Sequence, residues 1–157
     1  MIFSMGHTIV QYAATVGIGF LFLSLSFSGC EDILNKPDYI AVNIMLAVYV
    51  RMVDANNNVL PNNPDGTKVS IEMTKAKGDR LVFERIVQNG LCQATGNFNI
   101  NEGQFIECIV TFEGDYQGYT PLSTGYALLT WEEANASQNL QGIYHWYPEI
   151  TINLKQS

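Results

Sequence analysis

The most reactive side chains in this sequence are three thiols, Cys30, Cys92 and Cys108. A thiol can accept an acyl group, pair with a second thiol, ligate a metal or attack a carbonyl, and the last two uses need partners. Only His7 and His145 are present, and there is neither a Gly-x-Ser-x-Gly elbow nor a Gly-x-x-x-x-Gly-Lys loop, so the usual signatures of a His-based metal site, an activated serine and a phosphate cradle are missing. Glu132 and Glu133 are adjacent, and adjacent strand residues point to opposite faces, so this pair cannot flank one scissile bond. Asp54, Asn56, Asn58 and Asp65 fall at positions 1, 3, 5 and 12 of a calcium-loop spacing, but Val59 stands where that loop needs Gly, which makes an ordinary turn the reading. The expectation is a chain with no catalytic residues, no metal and no cofactor.

Cys30 stands apart because of what precedes it. The run from Ile9 through Leu21-Phe22-Leu23-Ser24-Leu25 to Phe27-Ser28-Gly29-Cys30 is apolar and uncharged, and two acids, Glu31 and Asp32, follow directly. It resembles a bacterial lipoprotein signal peptide, in which small residues precede a cysteine that becomes the lipidated N-terminus. The resemblance implies that residues 1–29 are a signal, that Cys30 carries lipid, and that Glu31-Asp32 acts as a sorting signal, read toward the cell surface in some bacterial groups and as retention in others, with the outer membrane or cell surface as the expected location. No Lys or Arg lies in residues 1–29, and Ile9 to Gly29 has about the ~20-residue length that crosses a bilayer as a helix, so an uncleaved anchor helix is the competing reading. Both of these readings export the remainder and hold it to a membrane, and a soluble or secreted chain is the third.

The net charge of −7 argues against a nucleic-acid partner, because phosphate backbones select basic faces. The imbalance is concentrated late in the chain, where beyond residue 85 Lys155 alone faces seven carboxylates between Glu102 and Glu149. Such a surface keeps an exported protein soluble. With Cys30 set aside, Cys92 and Cys108 form an even pair in an oxidising compartment, which points to a disulfide, with two buried free thiols as the alternative.

The elements that must position these residues read as strands, because the dominant apolar period is two. Ile40, Val42, Ile44, Leu46, Val48, Val50 and Met52 hold one parity, over a length that predicts a bend or split near Asn43 to Ala47. The cluster Asp54 to Asn58 is a turn former whose side chains bond their own backbone. Further strands are expected at Val69 to Met73, Leu81 to Val87 with a bulge at Glu84-Arg85, Leu91 to Thr95, Asn97 to Ile100, Gln104 to Phe112, Gly125 to Trp131, Ile143 to Trp146 and Glu149 to Leu154. Trp131 to Gln138 fits a helical turn or a loop equally. Ile106, Cys108, Val110 and Phe112 share one face, and Cys92, Ala94, Phe98 and Ile100 another, so both thiols are expected to point inward.

Val48-Tyr49-Val50-Arg51-Met52-Val53-Asp54-Ala55-Asn56-Asn57-Asn58-Val59-Leu60-Pro61, then Val69-Ser70-Ile71 and the segment Gly96 to Phe112, looks like bacterial immunoglobulin-like and carboxypeptidase-regulatory-like domains. That resemblance implies an all-β, immunoglobulin-like Greek-key β-sandwich with adhesive, spacer or assembly roles. The organisation expected is a signal or anchor helix over 1–29, a lipid-attached linker over 30–38 and a β-sandwich over 39–157. Trp131, Tyr144, Trp146 and Tyr147 form an aromatic group suited to a glycan or protein partner, with strand alternation setting Tyr144 and Trp146 opposite His145 and Tyr147. The expected function is a membrane-anchored, extracytoplasmic, non-catalytic binding or scaffolding lipoprotein of the cell envelope. The alternatives are a pilus or fibre subunit that assembles by strand addition through Ile40 to Met52, and a carbohydrate-binding surface lipoprotein.

Overall fold

A computed structural model describes residues 38–156, and Cys30 and the signal or anchor reading of residues 1–29 lie outside them. The described chain is all-β apart from one short helix. In order it contains β1 (Ile40–Val53), β2 (Lys68–Lys75), β3 (Arg80–Ile86), β4 (Leu91–Ile100), β5 (Phe105–Phe112), β6 (Tyr119–Pro121), β7 (Gly125–Thr130), α1 (Trp131–Ser137), β8 (Ile143–Trp146) and β9 (Glu149–Gln156). One sheet has the order β4-β1-β9-β6, with β8 also paired to β1, and the other runs β3-β2-β5-β7. Their inner faces share one hydrophobic core.

The period-two pattern of β1 builds that core. Ile40, Val42, Ile44, Leu46, Val48, Val50 and Met52 are buried, while Met45 and Arg51 on the other parity are exposed. Of the bend or split expected, the strand does not split, because both of its edges are hydrogen-bonded. It pairs antiparallel with β4 from Ile40↔Ile100 to Tyr49↔Leu91, and parallel with β8 over Ala41 to Ile44 and β9 over Ala47 to Val53. The interruption falls on the neighbour instead. Ile44↔Trp146 and Ala47↔Glu149 keep one register, so β8 and β9 are a single line of chain broken at Tyr147-Pro148. Proline has no N–H to give to a ladder, although its carbonyl still accepts from the Ala47 N–H at 3.0 Å.

The turn after β1 is held by Asp54, whose carboxylate accepts from the Asn56 and Asn58 backbone N–H groups at 2.8 Å each and from the Asn58 amide at 2.9 Å. These bonds hold the exposed Asp54 carboxyl below its usual range, the Asn58 side chain contributing most. Asp65 ties the same connection to the turn between β3 and β4 by accepting from the Gly90 N–H at 3.0 Å.

The expected bulge in β3 is absent, since β2 and β3 pair without a slip from Lys68↔Ile86 to Thr74↔Arg80. Alternation falters there because β3 is an edge strand and Arg85 occupies its inward parity. The Arg85 guanidinium lies 4.9 Å from the Phe83 ring centroid and donates to the Gln93 carbonyl of β4 at 3.0 Å. A polar group with an apolar stem thus closes the gap between the two sheets at that edge. The two strands expected at 91–95 and 97–100 are one, β4, which runs through an inward-facing Gly96. β6 was not anticipated, because three residues are too few for a periodic signal.

The segment from Trp131 is helical. Thr130 caps it by accepting from the Glu133 N–H at 3.3 Å, and the Glu133 carboxylate accepts from the Thr130 N–H at 3.0 Å. This is a reciprocal capping box. Ala134 is the residue of α1 buried against the core.

Cys92 and Cys108 point inward as their parity predicts, but both are free, and the disulfide expectation is corrected. Parity assigns a face and leaves height along the sheet undefined. A Cβ on Gly96 would approach the Met73 sulfur to 2.8 Å, and Met73 is the register partner of Cys108, so Cys108 sits near the level of Gly96. Cys92 lies four residues back along β4, about 13 Å at the usual rise of a strand, while bridged cysteines need Cα atoms within about 7 Å.

Burial makes both thiols poor nucleophiles. It pushes Cys108 up to about 12 from an ordinary 9.0, and it raises Cys92 despite the attraction of Arg85. Because Cys108 stays neutral in the fold where the unfolded chain ionises, its contribution to stability is intact below about pH 9 and is lost as pH rises from there toward 12. A thiol reagent at pH 8 is therefore expected to spare Cys92 and Cys108 in the folded protein and to modify both after denaturation. Cys108→Ala should flatten the alkaline loss of stability, and fast labelling of Cys108 under native conditions would contradict this burial.

Candidate functional site

The fold separates most of the aromatics, thiols and carboxylates singled out by the sequence. Glu133 is engaged as the helix cap described above, and Asp54 is engaged in its turn. Among the described residues no three His, Cys, Asp or Glu side chains converge as a metal-binding group.

The aromatic group is divided by strand alternation, as the sequence predicts. Tyr144 and Trp146 of β8 face inward and pack, with Trp131 of α1, against the core while remaining partly accessible. Tyr144 and Trp146 also line an open cavity of about 420 Å³ beneath α1, together with Leu128, Leu129, Glu133, Ala136 and Ser137. Trp131 is not part of that lining. Three of the four expected ligand-binding rings thus take part in closing the corner between β7, α1 and β8.

Tyr147 is the exception. It projects from the opposite side, 64% exposed, and its ring stacks with His145 at a centroid separation of 6.4 Å and an interplanar angle of 14°. The neighbours of this pair come from strands distant in sequence. Asn43 is the register partner of both His145 and Asn97, and Met45, 48% exposed, is the partner of Thr95. The continuous register of β8 and β9 puts Tyr147 beside Met45. The sequence sets His145 on one face with Tyr147, but it does not single out Met45, Asn43 and Asn97. The signal available was the alternation of Asn97 and Asn99 with buried Phe98 and Ile100, which marks an outward amide row.

The outer faces of the two sheets differ in chemistry. On the β3-β2-β5-β7 sheet Lys68, Glu72, Arg80, Glu84 and Glu107 stand among the outward positions, and Arg80 makes a two-pronged ion pair with Glu72 at 2.7 Å for each contact. Arg80 holds the Glu72 carboxyl below its usual range, although an exposed pair of this kind contributes little to stability. On the other sheet the outward positions at the β8 end of β1 carry no Lys, Arg, Asp or Glu. No protein family, curated protein or solved structure matches this chain.

Proposed function

We propose that the chain is an exported, membrane-anchored lipoprotein whose sandwich-like domain is a non-catalytic binding or scaffolding module of the cell envelope, in the outer membrane or at the cell surface. The observation that carries this reading is the placement of Cys30, immediately after Ser28-Gly29 and an uncharged apolar run, and ten residues before the first strand at Ile40. A lipid at Cys30 would hold the domain to the bilayer through a short linker.

The finer fold assignment, an immunoglobulin-like Greek key, belongs to the same proposal. Its support is the path of the first four strands, in which β2 and β3 form a hairpin in the second sheet and β4 returns to lie beside β1 in the first, as the fourth strand of a Greek key does. The position of β1 favours a module over a strand-donating fibre subunit. A strand already paired along both edges has no free ladder to donate without dismantling its own sheet. The buried thiols and the engaged carboxylates favour binding over catalysis.

Cell fractionation tests the anchoring. The wild-type chain is expected in the membrane fraction and digestible by protease added to intact cells, whereas Cys30→Ser should lose its lipid-dependent mobility on gels. Cys30→Ser protein that retains wild-type mobility, or a wild-type chain protected from protease until the cytoplasm is opened, would overturn the proposal.

A further inference from the structure

We propose that the outer face of the β4-β1-β8 region is a binding surface for an uncharged oligosaccharide, centred on Tyr147, His145, Asn43 and Asn97. This surface lies across the sheet from the inward rings Tyr144 and Trp146, and it assigns a ligand class to the module without depending on any catalytic group. It rests on the exported, anchored reading only in that export brings the face to glycans.

Three observations converge. First, the face presents aromatic surface at low conformational cost, with Tyr147 64% exposed and its ring held nearly parallel to that of His145. The apolar C–H faces of a sugar ring pack on such surfaces, and the Tyr hydroxyl supplies a polar handle at the rim. Second, Asn43 and Asn97 are directly paired across β1 and β4, and Asn43 is also level with His145 across β1 and β8. An amide offers two donors and an acceptor with two lone pairs, which suits the mixed donor and acceptor pattern of adjacent sugar hydroxyls. Neither amide is a partner in any side-chain hydrogen bond within the described protein, unlike those of Asn58 and Asn101, which are bound to Asp54 and to the Asp38 carbonyl.

The third observation is charge. The rows of Ala41, Asn43 and Met45 and their partners on β4 and β8 contain no Lys, Arg, Asp or Glu, whereas the outward face of the other sheet carries Lys68, Glu72, Arg80, Glu84 and Glu107 among exposed apolar residues. Glu149 stands at the next row, level with Ala47, and Arg51 two outward rows beyond it. A surface without fixed charge exerts no pull on a charged glycan and imposes no cost of desolvating an ion, so it selects neutral chains. The platform is also regular, since three neighbouring strands separated by about 4.8 Å present their outward side chains in register. That geometry fits an extended chain better than a single sugar.

The test uses the full chain in detergent, with fluorescent maltohexaose, cellohexaose, chitohexaose and mannohexaose as neutral probes and a sulfated and a sialylated oligosaccharide as charged ones. At least one neutral hexasaccharide is expected to bind, with Tyr147→Ala and Asn97→Ala each lowering affinity about ten-fold or more, and with Tyr126→Ala on the other sheet leaving it unchanged. Circular dichroism of each variant checks that the exposed substitution leaves the fold in place. Absence of binding to all four neutral probes, binding confined to the charged probes, or affinity insensitive to Tyr147→Ala and Asn97→Ala would overturn the site. A chain that carries lipid at Cys30 but binds none of the neutral probes loses this site and keeps the anchor, and a chain that binds without lipid does the reverse.

Discussion

Leu46→Ala is expected to be among the most destabilising single substitutions in the domain, costing about 2–5 kcal/mol. Leu46 is completely buried at the middle of β1. Its strand is fixed on one side by β4, where Leu46 faces Ala94, and on the other by β8 and β9. A strand pinned along both edges cannot move in to fill the cavity left by a truncated side chain, and a small partner such as Ala94 offers no atoms to collapse into it. The lost methyl groups therefore cost their transfer free energy and an added cavity term. The melting temperature should fall on the order of 10 °C. Met45, the next residue, points outward and is 48% exposed, so Met45→Ala should change stability by no more than about 0.5 kcal/mol. Urea melts of the two variants make the comparison, and equal midpoints would contradict the assignment of faces along β1.

Gly125→Ala is expected to cost about 1–3 kcal/mol by overpacking. Gly125 begins β7, where the edge of the second sheet comes closest to β9 of the first. A Cβ at this position would overlap the Ile150 Cγ2 methyl and stand 3.3 Å from the Val110 Cβ. Neither atom is the tip of a flexible chain, since both belong to β-branched residues with stiff χ1 angles. The strands themselves would have to separate. The cause can be isolated with a second variant, because Ile150→Ala removes the clashing methyl. Although Ile150→Ala alone leaves a cavity, the double variant should be less destabilised than the sum of the two singles, a coupling that a double-mutant cycle reads directly. Additive effects would mean that Gly125 is required for another reason.

Features of the fold are legible in the sequence where they are local. The alternation of β1 and of β5 is written in neighbouring residues and predicts their buried faces correctly. The Asp54 turn is likewise local chemistry. What alternation does not encode is the register between strands. It could not show that the chain breaks opposite β1, at Tyr147-Pro148, instead of within it. It placed Cys92 and Cys108 on inward faces but not at their different heights, and so suggested a disulfide between thiols that are apart. Arg85 disturbed the pattern of β3 because an edge position admits a guanidinium that a central strand would exclude.

The candidate site follows the same rule. Period two correctly set Tyr144 and Trp146 against His145 and Tyr147, but deciding which pair meets the core needs the sheet that lies beneath. Asn43 and Asn97 are more than fifty positions apart in the chain and become neighbours only through the antiparallel pairing of β1 with β4. Tyr147 comes onto the same face only through the parallel pairing of β1 with the last segment of the chain.

Whether Cys30 anchors this domain to a membrane outside the cytoplasm is decided by mass spectrometry of the N-terminal peptide of the protein isolated from its own cells. The expected peptide begins at Cys30 and carries the added mass of a diacylglyceryl group or a triacylated cysteine. A peptide that begins at Met1 or elsewhere upstream of Cys30, with an unmodified thiol at position 30, would contradict it.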